Sequence, residues 1–348
     1  MRFINPTIFF LTCLVSLGSA LQYRGADFSS LVNLERAGRT YKDNGQTLNF
    51  ENILKNHGAN LARIRIWTSN NDGEYSLNYG LALAKRAAAA GLEIYVDLHY
   101  SDTWADPGKQ AIPSSWPKDL NGLNTQIYTY TKNVVQSFSS QGTPIKFIEI
   151  GNEVNSGILF PVGQISSKGY SPLSQLLHSA ANGVRAASAS TKVMIHLANG
   201  WNSNAVASFY NQIFIPGQLA PEDVDVMGFS FYPFYGTSAT TSALKSSLTN
   251  IINRYGKDVM VVETDWPFSC SGVQLSDSSP ISAAGQLQWV SKIRDVVSSL
   301  PGGHGLGIVY WEPGWIGNAN LGSGCSDNLL VDGSGNTRSS ISMFSNSM

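Results

Sequence analysis

A chain of 348 residues is long enough for one large α/β domain. Charged side chains make up only 14% of it and the net charge is −1, so there is no electrostatic case for nucleic acid or an anionic membrane as a partner. No Pro/Ser/Thr-rich linker or second composition regime divides the chain, which argues against an appended binding module.

At the start, Arg2 precedes the apolar run Ile8-Phe-Phe-Leu-Thr-Cys-Leu-Val15 and the small residues Gly18-Ser-Ala20. Basic start, short apolar core and small closing residues have the layout of a secretory leader over residues 1–20; a buried first helix is the other reading. The run is too short to span a bilayer comfortably. Cleavage near Ala20 leaves one domain, residues 21–348, with net charge −2. It removes Cys13 and leaves Cys270 and Cys325. In an oxidising compartment that count favours one disulfide over two free thiols, closing a loop of about 55 residues and worth roughly 4 kcal/mol.

Beyond the leader, short apolar strands alternate with amphipathic helical patterns. Strands are expected at Tyr23–Ala26, Leu61–Trp67, Glu93–Leu98, Ile145–Ile150, Val193–Leu197, Val224–Ser230, Asp258–Val262 and Gly307–Trp311. Helices are expected at Ser76–Ala90, stopping at Gly91, at Thr125–Ser140, at Pro172–Ser188 with proline in its first turn, at Ser242–Tyr255 before Gly256, and at Ala283–Leu300. Eight strands with crossover helices imply a parallel sheet closed into a (β/α)8 TIM barrel. An open doubly wound sheet would call for a nucleotide fingerprint. Gly303-His-Gly-Leu-Gly307 enters a strand instead of leaving one, so it reads as a turn.

In such a barrel the polar residues at the carboxyl ends of the strands line the site. Two strands end in a glutamate: Lys146-Phe-Ile-Glu-Ile-Gly-Asn-Glu153 and Asp258-Val-Met-Val-Val-Glu263. A carboxylate where a buried strand emerges is costly unless paired or functional. Two of them around one cavity suit a glycosidase, one as proton donor and one as nucleophile. Arg65 near the nucleophile would favour its charged form. Asn152 beside the donor could hydrogen-bond a sugar 2-hydroxyl. Trp104, Trp116, Trp266, Trp311 and Trp315 could stack on sugar faces. The bland readings are an ion-paired Arg63, a hydrogen-bonded wall residue at His196, Trp67 as core, Asp27 as cap of the short helix after it, and Glu312 as an ion-pair partner.

Several of these segments, Gly25-Ala-Asp-Phe-Ser29, Arg63-Ile-Arg-Ile-Trp67, Asp97-Leu-His-Tyr-Ser-Asp-Thr-Trp-Ala-Asp-Pro-Gly-Lys-Gln110, Glu149-Ile-Gly-Asn-Glu153 and Gly228-Phe-Ser-Phe-Tyr-Pro233, resemble glycoside hydrolase family 53, the arabinogalactan endo-β-1,4-galactanases. The resemblance runs over essentially the whole chain after the leader. It implies a secreted, monomeric enzyme that cleaves β-1,4-galactan with retention, Glu153 as acid/base and Glu263 as nucleophile, and needs no cofactor or metal. Asp27, Arg65, Trp67, His99, Trp104, Asp106, Asn152, Tyr232, Trp266 and Trp311 would bind substrate. Cys270 and Cys325 would join the loops after strands seven and eight, as in short fungal-type members. The calcium loop of some bacterial members has no clear counterpart, because Val331-Asp-Gly-Ser-Gly-Asn336 is poor in carboxylates.

A mannanase or cellulase of the same clan would keep both glutamates. A non-catalytic sugar-binding barrel is disfavoured by having both. A metalloenzyme using His99, Asp97, His196 and Glu263 lacks a His-x-x-x-His or dense carboxylate motif. A serine hydrolase lacks the Gly-x-Ser-x-Gly elbow.

Overall fold

The structure is a computed structural model that describes residues 20–69 and 73–348; nearly all of the leader expected at 1–20 lies outside them. Eight parallel strands close into a barrel: β1 (Tyr23–Asp27), β2 (Leu61–Ile66), β3 (Glu93–Leu98), β4 (Ile145–Glu149), β5 (Lys192–Leu197), β6 (Val226–Ser230), β7 (Asp258–Glu263) and β8 (Gly305–Trp311), each paired with its neighbours in chain order and β8 with β1. All eight match the expected strands within two residues.

The five expected helices are present as Leu77–Ala89, Leu120–Ser140, Tyr170–Ala187, Thr241–Tyr255 and Ala283–Ser298. Four begin at a side-chain cap: Ser76, Asp119, Thr240 and Ser282 each accept from a backbone N–H three residues on. The helix Leu120–Ser140 starts five residues earlier than the apolar spacing indicates, because Asp119 caps it. Leu31–Arg36, Phe50–Asn56 and Ser203–Ile213 fill the remaining crossovers. Among the described residues, no helix is long and apolar enough to cross a membrane.

The core has two shells. One lies between barrel and helices. The other fills the inside of the barrel with Tyr23, Leu61, Tyr95, Phe147, Met194, Val226, Met260, Val262 and Val309. Close packing there leaves no room at two glycines: a Cβ on Gly25 would stand 2.8 Å from Val309, and one on Gly228 would stand 2.6 Å from the Met194 sulfur. The disulfide Cys270–Cys325 joins the loops that follow β7 and β8.

Candidate active site

Because strand side chains alternate, β2 points Leu61, Arg63 and Arg65 to one face. Leu61 belongs to the apolar filling; Arg63, two residues on, begins a polar layer. Its guanidinium meets four buried carboxylates: Asp27 at 2.9 Å, Asp97 at 3.2 Å, Glu149 at 2.9 Å and Glu263 at 2.8 Å. The Glu149 contact is two-pronged, Nε to Oε1 and Nη2 to Oε2. Burial alone would raise Glu149, but Arg63 and His196 outweigh it and hold that carboxyl well below the usual range. Asp97 goes the other way, pushed well up by burial and by the Glu149 charge. Tyr95 donates to Glu149 from the apolar side.

Two buried histidines, His99 and His196, adjoin this layer, and the network fixes the hydrogen on one ring nitrogen of each. His99 Nδ1 accepts from the Ala105 backbone N–H at 2.9 Å, so Nε2 carries the hydrogen and donates to Asp97 at 2.8 Å. Burial and Arg65 keep this ring well below the usual imidazole value. His196 Nδ1 faces Asn152 Oδ1 at 2.9 Å and Glu149 Oε2 at 3.2 Å, and its Nε2 lies 2.8 Å from Ser230 Oγ. Burial opposes charging it, but Glu149 and Glu263 prevail and raise it to about 8.

Above this layer a cavity of about 230 Å³ is lined by Arg63, Arg65, Asp97, His99, Trp104, Ala105, Asp106, Asn152, Glu153, Tyr232, Tyr235, Glu263, Trp311 and Leu321. Carboxylate oxygens of Glu153 and Glu263 face each other in it within 4.8 Å. Glu263 ends β7, with Oε1 on Arg63 and Oε2 accepting from the Tyr232 hydroxyl at 2.9 Å. Glu153 lies past the end of β4 with φ 45° and ψ 57°, a left-handed conformation that non-glycine residues rarely adopt. Gly151 at φ 116° makes the turn into it. Glu153 accepts from Ser230 Oγ at 2.6 Å. Burial and the Glu263 charge push it up to about 7.

Most residues expected at the site therefore converge on it, with several changes. The cation on Glu263 is Arg63, not Arg65. Arg65 pairs with Glu312 at 3.0 Å, as an ion-pair role for that glutamate anticipates. Its guanidinium carbon lies 4.3 Å from the Tyr75 ring centre and 4.1 Å from that of Trp104, and Nε and Nη1 meet no partner among the described residues. Secondly, Trp266 is fully buried, packs on Trp289 and donates its indole N–H to the Pro280 carbonyl at 2.8 Å; it offers no face to the cavity. Trp116 is likewise buried, against Tyr100 and Tyr130. Thirdly, Asp27 does not cap a helix. It accepts from the Ser29 amide and hydroxyl and pairs with Arg63 beneath the cavity.

Trp67 meets Trp104 edge-on and stands behind the lining, whereas Trp104 and Trp315 lie nearly parallel, 6.0 Å apart. Asp106 is at the rim beside Lys109, 3.5 Å away. Asp265, two residues past Glu263, is buried with neither carboxylate oxygen hydrogen-bonded among the described residues; burial and Glu263 push it well up.

Glu153, His196 and Glu263 each bring one ligand-capable atom into a 4.8 Å cluster. These atoms are already engaged: His196 by Ser230 and Asn152, Glu263 by Arg63 and Tyr232, Glu153 by Ser230. A cation would have to displace Arg63 or break that network, so the arrangement suits proton transfer and nucleophilic attack better than metal binding.

The glycosyl hydrolase family 53 model matches residues 23–344. The chain belongs to that family. It is 47% identical to a probable arabinogalactan endo-beta-1,4-galactanase A of Neosartorya fischeri, over 99% of this chain and 98% of that one. It is 48% identical to arabinogalactan endo-beta-1,4-galactanase A of Emericella nidulans, over 95% and 96%. Among solved structures, one of two fungal beta-1,4-galactanases aligns with a TM-score of 0.90 at 45% identity, over 93% of this chain and 99% of that one. A xylanase 10B of Thermotoga maritima, at 16% identity, covers 90% of this chain and 96% of that one with a TM-score of 0.61 and shares the barrel fold. This glycoside hydrolase therefore carries its two facing carboxyls on a barrel that chains of low identity also build.

Proposed function

We propose that this enzyme is an endo-glycosidase that cleaves β-1,4-galactosidic bonds of type I arabinogalactan, the galactan side chain of pectin, by double displacement with retention. The observation that carries this is the pair Glu153 and Glu263, within 4.8 Å in one cavity and in opposite electrostatic settings. That spacing fits direct attack by a carboxylate; inversion needs roughly 6.5–9.5 Å to hold a water.

Glu153, held up to about 7, is the proton donor to the leaving oxygen. Glu263, paired with Arg63 and held by Tyr232, attacks the anomeric carbon. Glu153 then takes the proton from the water that releases the sugar. Asn152 is held at both ends, donating to the Ala105 carbonyl and accepting from Arg63, which leaves one amide hydrogen for a sugar 2-hydroxyl. Trp104 and Trp311 give the cavity flat apolar walls against which sugar rings can stack. The galactan preference rests on the likeness to the fungal galactanases. The leader layout over residues 1–20 and the disulfide, which forms and persists in oxidising compartments, support secretion.

Reducing-end release from galactan, mannan and cellulose tests the reading. Galactan turnover well above the other two is expected. No activity on galactan, or full activity in Glu153→Ala and Glu263→Ala, overturns it.

A further inference from the structure

Ser230 is the last residue of β6, at the point where the ladder to β7 slips: Phe229 pairs with Val261, but Ser230 pairs with Glu263. A bulge of this kind re-aims a side chain. The Ser230 hydroxyl is buried and lies 2.6 Å from Glu153 Oε1, 2.8 Å from His196 Nε2 and 3.5 Å from Glu263 Oε2. The first two are good hydrogen-bond distances and the third is marginal, so the serine serves Glu153 and His196.

We propose that Ser230 is a positioning residue that joins Glu153 and His196 into one relay, so that the direction of its hydroxyl decides how readily Glu153 parts with its proton. The inference rests on Glu153 being the acid/base.

The relay has two states. Asn152 is oriented by its amide, which donates to the Ala105 carbonyl, so its oxygen faces His196 Nδ1. With Glu149 Oε2 on the same nitrogen, Nδ1 carries a hydrogen in both states and only Nε2 can change. With Nε2 bare, the serine hydroxyl donates to it and Ser230 Oγ accepts from a protonated Glu153 Oε1. With Nε2 protonated, that N–H donates to Oγ and the serine donates to an ionised Glu153. The two states interconvert when one proton leaves Glu153 Oε1 for Ser230 Oγ and the serine's own proton passes to His196 Nε2. Serine ends with one proton, and a neutral pair becomes a carboxylate and an imidazolium.

The surrounding charges come from every neighbouring strand. Glu263 on β7 opposes charge on Glu153; Arg63 on β2 and His196 on β5 favour it. Glu149 on β4 and Glu263 favour charge on His196, and Arg63 opposes it. Asp97 on β3 feels both His196 and Glu149. Tyr232 and Tyr235, after β6, feel the Glu153 charge. The serine hydrogen bond lowers Glu153 against burial and Glu263.

Losing the hydroxyl removes that lowering. The test is the pH dependence of kcat/KM on galactan, with turnover of an aryl β-1,4-galactobioside measured beside it, for the native chain, Ser230→Ala and Ser230→Thr. In Ser230→Ala the alkaline limb is expected to move up by about one pH unit, the order of size for losing a hydrogen bond to a half-buried carboxylate. Turnover of the aryl substrate should also fall, since release of the covalent sugar needs Glu153 as base. Ser230→Thr keeps the hydroxyl and should return the limb to its native position. An unmoved limb in Ser230→Ala overturns the relay whatever its kcat, and so does a threonine variant that follows alanine. If Ser230→Ala does not fold, Ser230→Cys, with its weaker donor, should move the limb the same way by less, and an unmoved limb there is equally fatal. Failure of the underlying reading looks different, because Glu153→Ala would then turn over galactan at the native rate.

Discussion

The barrel interior has two halves built on the same strands. Near the amino ends, Tyr23, Leu61, Tyr95, Phe147, Met194, Val226 and Val309 fill it with apolar side chains. Two residues further along, β2 to β5 put Arg63, Asp97, Glu149 and His196, and β1 puts Asp27 four residues past Tyr23, all at almost no exposure. In the lower half, burial itself stabilises and geometry is negotiable. In the upper half, burial opposes every charge, and the layer persists because each group meets another. Stability is made in the first half, and electrostatic settings for the two cavity glutamates are made in the second.

Removing a cavity carboxyl should have the largest effect. Glu263→Ala is expected to abolish galactan turnover while the fold stays intact, as circular dichroism will check. Glu153→Ala should lose about 10²–10⁴-fold on galactan and much less in the first turnover of an aryl galactobioside, whose leaving group needs no proton. Equal losses on both would break the assignment.

The two halves are next separated by one substitution in each. Arg63→Leu leaves Glu149 and Asp27 buried without their cation and should cost about 3–5 kcal/mol in urea unfolding. Phe147→Leu, a swap between apolar groups, should cost only about 1–2 kcal/mol and leave the pH profile of kcat/KM unchanged. A shifted profile in Phe147→Leu would show that the halves are not independent.

The smallest effect concerns stability against pH. Glu153 is raised from 4.5 to about 7. A raised value means that its contribution is complete below about 4.5 and is lost as pH rises through about 7. His196 is raised from 6.5 to about 8, so its contribution is complete below 6.5 and is lost through about 8. These two groups should lower Tm as pH rises from 5 to 8. Glu153→Gln should flatten the part below pH 7 and leave the His196 part. A variant whose Tm tracks the native curve throughout would contradict the raised Glu153.

The architecture was legible because each barrel strand is a short apolar run and each long helix repeats its apolar residues at 3.6 spacing. The helix Ser203–Ile213 had the same signal, with Val206, Phe209, Tyr210 and Ile213 buried and Asn202 as cap. Strand alternation put both Arg63 and Arg65 inside, but it gives a face and not a height. Barrel stagger brings Asp27 level with Arg63 and Asp97 level with Arg65, and only the closed geometry selects Arg63 for Glu263. Trp266 follows a strand end like the cavity tryptophans, yet past the last ladder residue alternation no longer sets direction, and its indole turns outward to the Pro280 carbonyl. Glu149 carried a signal that could have found it: a second carboxylate four residues before Glu153, in a strand that is otherwise apolar at its end. The left-handed backbone at Glu153 had no sequence signal beyond Gly151.

The central claim is that Glu263 attacks and Glu153 supplies and then recovers the proton. Proton NMR of galactan hydrolysate, recorded before mutarotation, reads it directly. First-formed reducing ends with the β configuration are the expected result; first-formed α ends would contradict it.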